Sequence, residues 1–258
     1  LQRLYKRKPA YELTPFMRAY NGRDTQQNKG PGMCGRFSMA IDSDDLQTAL
    51  ALGQMPDDWK RRYNIAPSQP VAALRDPESR QVDWLQWGLV PFWAKDPAIG
   101  SSLINARAES VFEKPSFKYA FRKRRCLILA DGFYEWQKTG AKGSRPFYFS
   151  MRSGEPFAFA GLWETWQPKD QPGEALSTCT IITTAANETV APVHERMPVL
   201  LRKENMWDWL LETSETALVS MLRPAPADWL RAWEVSRAVN SPNQEGPECA
   251  APLQSSNG

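Results

Sequence analysis

Histidine is nearly missing from this 258-residue chain, which holds only His194. Cysteine is sparse as well. Cys34, Cys126, Cys179 and Cys249 lack the spacing of a zinc site or of a compact disulfide scaffold. Neither a metal nor a cofactor is expected. No apolar run approaches the ~20 residues that cross a bilayer. No apolar stretch follows the basic residues near the start, so a secretory signal is not expected. There is no Gly-x-Gly-x-x-Gly, no phosphate loop, no regular βαβ unit and no internal repeat. The sequence therefore predicts a protein of a reducing, cytoplasmic compartment with no membrane contact.

Charge of one sign is lacking too, but unevenly. The chain has 32 Lys and Arg against 29 Asp and Glu, for a net +3. Residues 1–32 hold seven of the basic and two of the acidic residues, leaving 25 and 27 for the rest, a net of −2. Any nucleic-acid contact must then come from a local patch. The Arg122-Lys123-Arg124-Arg125 run is one candidate, and a solvated strand edge is its plainer reading.

What is present is aromatic and angular. Eleven Trp and 21 Pro fall in short clusters that suit strands and ordered loops. Strands are expected at 71–74, 82–89, 126–130, 146–151, 157–163, 179–184 and 233–239. Turns or loops are expected at 76–78, 138–143 and 167–175. Helical segments are expected within 41–60, where Asp42 or Ser43 could cap and Leu46, Leu50 and Leu52 give an apolar side, in part of 108–121, and at 203–211. This order predicts an α+β fold: one domain with a curved, mainly antiparallel, barrel-like sheet and short flanking helices. The domain spans 34–245. Residues 1–33 are expected to be a leader or an upstream segment absent from the active form, and 246–258 a flexible tail, with Cys249 incidental to it. Cys126 and Cys179 open apolar runs and read as core thiols.

The informative cysteine is Cys34, directly after Met33. If Cys34 became the first residue, one carbon would carry both an α-amine and a thiol, a pair that traps aldehydes. His194 is either a satisfied structural residue or a general acid or base with a suitable unperturbed pKa. Glu135, between Tyr134 and Trp136, is either an outward-facing acid or a carboxyl whose pKa its aromatic neighbours raise. Asn105 and Arg107, two apart on an extended segment, share a face. Asn can orient an amine or hydroxyl, and Arg can hold a phosphate or pair with an acid such as Glu109. Arg36 lies two residues from Cys34. Trp87, Phe92, Trp93 and Trp136 offer base-stacking surfaces, though tryptophans also build cores.

Taken together, Met33-Cys34-Gly35-Arg36-Phe37, Arg62-Tyr63-Asn64-Ile65-Ala66-Pro67, Trp87-Gly88-Leu89-Val90-Pro91, Asn105-Ala106-Arg107-Ala108-Glu109, Gly132-Phe133-Tyr134-Glu135-Trp136, Thr183-Thr184-Ala185-Ala186-Asn187, His194-Glu195-Arg196-Met197-Pro198 and Val235-Ser236 resemble the SOS-response-associated peptidase (SRAP) family. These are abasic-site processing and crosslinking proteins of bacteria and eukaryotes. The resemblance covers nearly all of 33–245. It implies that Cys34, Asn105, Glu135 and His194 are catalytic. It implies that Arg36 and Arg107 bind phosphates of single-stranded DNA and that Asn64 lines the site. Trp93, one of the stacking candidates, is expected to join the DNA surface. The implied reaction is a covalent thiazolidine between an abasic-site aldehyde and the amine and thiol of Cys34, made by a monomer acting on nucleoid DNA. Self-removal of the leader is part of the same expectation. A thiol peptidase acting on other proteins, using Cys34 with His194, and a noncatalytic single-stranded DNA-binding module are the competing readings.

Overall fold

The computed structural model describes residues 34–140, 143–168 and 175–253. The expectation of a leader at 1–33 falls outside them, as do most of the loop expected at 167–175 and the last five residues. In chain order the elements are β1 (Arg36–Met39), α1 (Ser43–Leu50), β2 (Arg62–Ile65), β3 (Pro70–Leu74), β4 (Val82–Trp87) and β5 (Asn105–Arg107). Then come α2 (Lys118–Lys123), β6 (Arg125–Ala130), β7 (Gly132–Lys138), β8 (Ser144–Met151), β9 (Phe157–Trp166) and β10 (Leu176–Ala185). The remainder is β11 (Arg196–Pro198), β12 (Leu200–Leu201), α3 (Met206–Leu211), α4 (Glu215–Met221) and β13 (Leu230–Glu234).

Five strands close into a barrel in the order β10-β4-β3-β6-β9, with β9 returning to β10. All of its pairings are antiparallel except β4 on β10. The short strand β5 lies parallel on β10 with Asn105 opposite Ile181. Closure buries both faces of the inner strands, so β6 and the first half of β9 read as continuous apolar runs rather than alternating ones. A second sheet, β13-β8-β7-β1-β2, packs beside the barrel. Phe37 of β1 meets Trp87 and Phe159 edge-on, at 5.2 and 5.3 Å between ring centres. Phe133 of β7 stacks on Phe149 at 5.0 Å and reaches Phe159. These rings form the seam where the two sheets meet. The α+β, barrel-like architecture expected from sequence is the one found.

Several boundaries differ, for local reasons. The helix within 41–60 is only Ser43–Leu50. Ala51 takes a left-handed conformation (φ 53°) that ends it, and the Asp42 carboxylate pairs with Arg61 instead of capping. Strand β4 stops at Trp87 because Gly88 has φ 126°, where an added Cβ would sit 2.7 Å from the Gly100 carbonyl oxygen. That turn sends the chain through 89–104 and back to Asn105. Turns fill most of 108–121, and helix α2 begins only after Pro115. The late strand lies earlier than expected, at Leu230–Glu234. Ser236 then caps a 3-10 turn at Arg237–Asn240. Cys249 is no incidental tail residue: it is fully buried against Tyr134 and Trp136.

The basic run is largely absorbed by the fold. Arg125 donates to the carbonyls of Trp209, Leu210 and Glu212, tying α3 down. Arg122 pairs with Glu215, and Arg124 pairs with Glu164. Trp87 is core, with its indole N–H on the Ile104 carbonyl at 2.8 Å.

Candidate active site and nucleic-acid interface

β1 and β7 are antiparallel neighbours with Arg36 opposite Tyr134. This register carries Cys34, just ahead of β1, to Glu135. The Cys34 backbone nitrogen donates to Glu135 Oε1 at 2.9 Å. On β7, alternation sends Phe133 and Glu135 to the barrel side, and Tyr134 and Trp136 into a separate apolar cluster. Glu135 therefore points inward and is 2% exposed. Burial raises its pKa to about 8, against the smaller opposing effect of its hydrogen bonds to the Cys34 backbone and side chain. The Cys34 thiol is pushed well above its ordinary value, first by burial, then by the charge of Glu135 and the hydrogen bond to it. Carboxyl and thiol are thus both held in their neutral forms near pH 7.

Cys34 also has φ 46°, a left-handed conformation that costs a side-chain-bearing residue about 1–2 kcal/mol. Asn105, brought in by β5, places Nδ2 3.5 Å from the Cys34 carbonyl oxygen. Cys34, Glu135 and Asn105 thus come together from three strand regions more than 70 residues apart in pairs that include Cys34.

His194 sits in the turn before β11. Its Nδ1 lies 3.1 Å from the Arg196 backbone nitrogen and 3.3 Å from the Arg196 carbonyl oxygen, so the ring is oriented by the backbone of β11. Among the described residues, no hydrogen bond joins His194 to the Cys34 thiol.

Arg107 is exposed at the end of β5, and Trp93 is 49% exposed beside Phe92 at 54%. Arg36 and Asn64 are placed differently. Arg36 Nη1 donates to Asn64 Oδ1 and the Val239 carbonyl, each at 2.7 Å. Burial lowers the Arg36 pKa from its usual value. Asn64 is fully buried, and its Nδ2 donates to the carbonyls of Val239, Ser241 and Gln244. Arg36 still lines a groove of about 350 Å³ together with Gly35, Pro67, Ile104, Trp136, Ser144 and Asn240.

Sequence reasoning missed Arg196 and Glu245 as contributors and named Glu109 only as a possible partner of Arg107. Arg196 and Glu109 form a two-pronged ion pair, with Arg196 also on the Thr183 carbonyl at 2.7 Å. That pair ties the His194 turn to the segment after Arg107. Glu245 receives Arg62 and the backbone N–H groups of Tyr63 and Asn64. A pattern search could have flagged Glu109 and Arg196, each two residues from a candidate, but it offers no sign of the pairing.

The family described as SOS response associated peptidase (SRAP) matches residues 33–242. The chain belongs to the SRAP family. It is 43% identical over 221 residues to abasic site processing protein YoqW of Bacillus subtilis, covering 84% of this chain and 98% of that protein. To abasic site processing protein HMCES of Gallus gallus it is 33% identical over 266 residues, covering 86% of this chain and 78% of that one. A solved structure from Bacteroides thetaiotaomicron superposes with a TM-score of 0.76 at 27% identity, covering 86% of this chain and all of that one. One from Bordetella bronchiseptica gives 0.68 at 25%, covering 79% and 100%. No helix among the described residues of this SRAP chain is long and apolar enough to cross a membrane.

Proposed function

We propose that this SRAP protein recognises abasic sites in single-stranded DNA and links to them covalently through an N-terminal Cys34. The observation that carries this reading is the Cys34 nitrogen on a buried Glu135 carboxyl at 2.9 Å. It is joined by family membership and by relatives named for abasic-site processing. Hydrolysis of the Met33–Cys34 bond consumes one water and frees the α-amine. The left-handed backbone at Cys34 suits a self-processing route, because strain at that residue is released when the bond ahead of it breaks.

Trapping then follows simple chemistry. The abasic sugar is mostly a closed hemiacetal. In the chain starting at Cys34 the α-ammonium passes its proton to the buried Glu135 carboxylate, which leaves the amine neutral and Glu135 protonated. Glu135 then protonates the ring oxygen as the C1′–O4′ bond breaks, and the C1′ hydroxyl loses its proton to water, giving the C1′ aldehyde. The Cys34 amine, with a reference pKa of about 7.7–8.0, attacks in its neutral form. Loss of water gives an imine. The thiol S–H then adds across C=N, sulfur to carbon and proton to nitrogen, closing a thiazolidine. Asn105 orients Cys34, and His194 moves protons at the sugar hydroxyls. Holding amine, thiol and aldehyde in one site makes each step effectively intramolecular. Arg107 and Trp93 bear on DNA directly, while Arg36 and Asn64 also build the groove. Phosphate contacts of this kind position the strand without reading its sequence. The same reading has the protein act as a monomer in the cytoplasm, on nucleoid DNA.

A peptidase acting on other proteins would need a Cys–His pair, and the hydrogen-bond contacts of the His194 ring among the described residues are with the Arg196 backbone. The decisive experiment compares a chain starting at Cys34 with one carrying a single alanine ahead of it. Both are incubated with an abasic oligonucleotide and run under denaturing conditions. The first is expected to give a stable adduct and the second none. Equal adduct from both would overturn the reading.

A further inference from the structure

Asn240 is exposed, lines the groove beside Cys34, and is held through both its backbone and its side chain. It lies at the end of the 3-10 turn Arg237–Asn240, in a strap tied to β1 by Arg36 and to β2 by Asn64. Its backbone is fixed from both sides. Asn64 Nδ2 holds the carbonyls of Val239 and Ser241, the residues before and after it, and Arg36 Nη2 reaches its own carbonyl at 3.5 Å. Its side chain is fixed as well. The indole N–H of Trp136, a residue 7% exposed, donates to Asn240 Oδ1 at 2.7 Å. An amide flip would aim Nδ2 at that indole donor and leave a buried N–H unpaired. Nδ2 is therefore locked outward. Among the described residues it has no partner, although Asn240 lines the groove with Arg36 and Ser144. A rigid pair of N–H donors next to a guanidinium suits an anionic oxygen.

We propose that Asn240 is a DNA-binding residue, whose outward amide donates to a phosphodiester oxygen next to the abasic sugar. This rests on the reading of the site as a single-stranded DNA interface. In this arrangement Asn64 is a positioning residue, which acts by holding the strap.

The test uses the chain starting at Cys34 and a single-stranded oligonucleotide carrying a tetrahydrofuran abasic analogue, which has no aldehyde. Binding is thus read apart from crosslinking. Absence of a wild-type adduct on a true abasic site would count against the function, not against Asn240. Asn240→Asp keeps the oxygen that Trp136 needs and replaces the donor with an anion, so the strap stays latched. It is expected to weaken binding about 10- to 50-fold, and Asn240→Ala about 3- to 10-fold. Replacing the flanking phosphodiester with a methylphosphonate is expected to erase most of the difference between wild type and Asn240→Asp. Affinity of Asn240→Asp within twofold of wild type would overturn the proposal. A loss that the methylphosphonate leaves intact would overturn the phosphate assignment.

Discussion

Cys34 and Cys126 are equally buried thiols in unlike settings. Cys126 lies inside the barrel, where burial alone pushes its thiol up and only a weaker charge effect from Arg75 opposes it. It packs so closely against Gly161 that a Cβ there would come within 2.9 Å of its sulfur. Cys179 shares that interior. Cys34 stands at the seam between barrel and second sheet, where the same burial also encloses a carboxyl, a backbone nitrogen and an amide side chain. Desolvation makes a core thiol inert. At the seam it also keeps Glu135 neutral and so supplies an acid close to the sulfur. Reactivity therefore follows from what is buried with the thiol.

The sharpest break in this comparison is substitution of each cysteine. Cys34→Ala, in a chain starting at residue 34, is expected to abolish the denaturation-resistant adduct, because a Schiff base without sulfur has no ring to close. Cys126→Ala should leave adduct yield within twofold of wild type while lowering stability by about 1–2 kcal/mol through lost packing, read by urea unfolding. Adduct lost equally in both would mean that the seam has no chemical distinction. The second break is Glu135→Gln, which keeps the hydrogen-bonding shape and removes the transferable proton. Its adduct rate is expected to fall about 10²- to 10³-fold, measured in single turnover, with affinity for a tetrahydrofuran oligonucleotide nearly unchanged.

The two settings were not equally legible in sequence. The barrel strands announced themselves as apolar runs, and Cys126 within Cys126-Leu127-Ile128-Leu129-Ala130 is buried as its neighbours imply. The seam residues were legible as motifs, and the position of β5 beside β10 brings Asn105 to Cys34. What sequence left open was direction. Glu135 between two aromatics fits an outward acid as well as an inward one, and only its register with Phe133 decides. Arg36 and Asn64 carried no sign of the strap they hold, because their partners are mostly backbone carbonyls about 175 to 204 residues away. Backbone acceptors carry no residue signature. Helix ends were misjudged for a similar reason: Ala51 and Arg61 terminate and compete with α1 through conformation and a distant ion pair.

The smallest expected effect sharpens the contrast through pH, in the chain that keeps the residues ahead of Cys34. There the nitrogen on Glu135 is an amide, and the carboxyl pKa is raised from 4.5 to about 8. Between those values the unfolded chain ionises Glu135 while the folded chain retains the proton. The native state binds more protons, so unfolding free energy must fall as pH rises through this window and level off above about 8. The melting temperature should drift down by several degrees from pH 5 to 8, after subtraction of the same curve for Glu135→Gln, in which this group no longer titrates. The core thiols contribute nothing to that difference, because burial pushes Cys126 and Cys179 upward, out of the window. Cleavage ahead of Cys34 replaces the amide with an α-ammonium against the carboxyl. That charge favours ionised Glu135 and should shrink the slope. Parallel curves for wild type and Glu135→Gln in the uncleaved chain would show that the seam holds its carboxyl no differently from water.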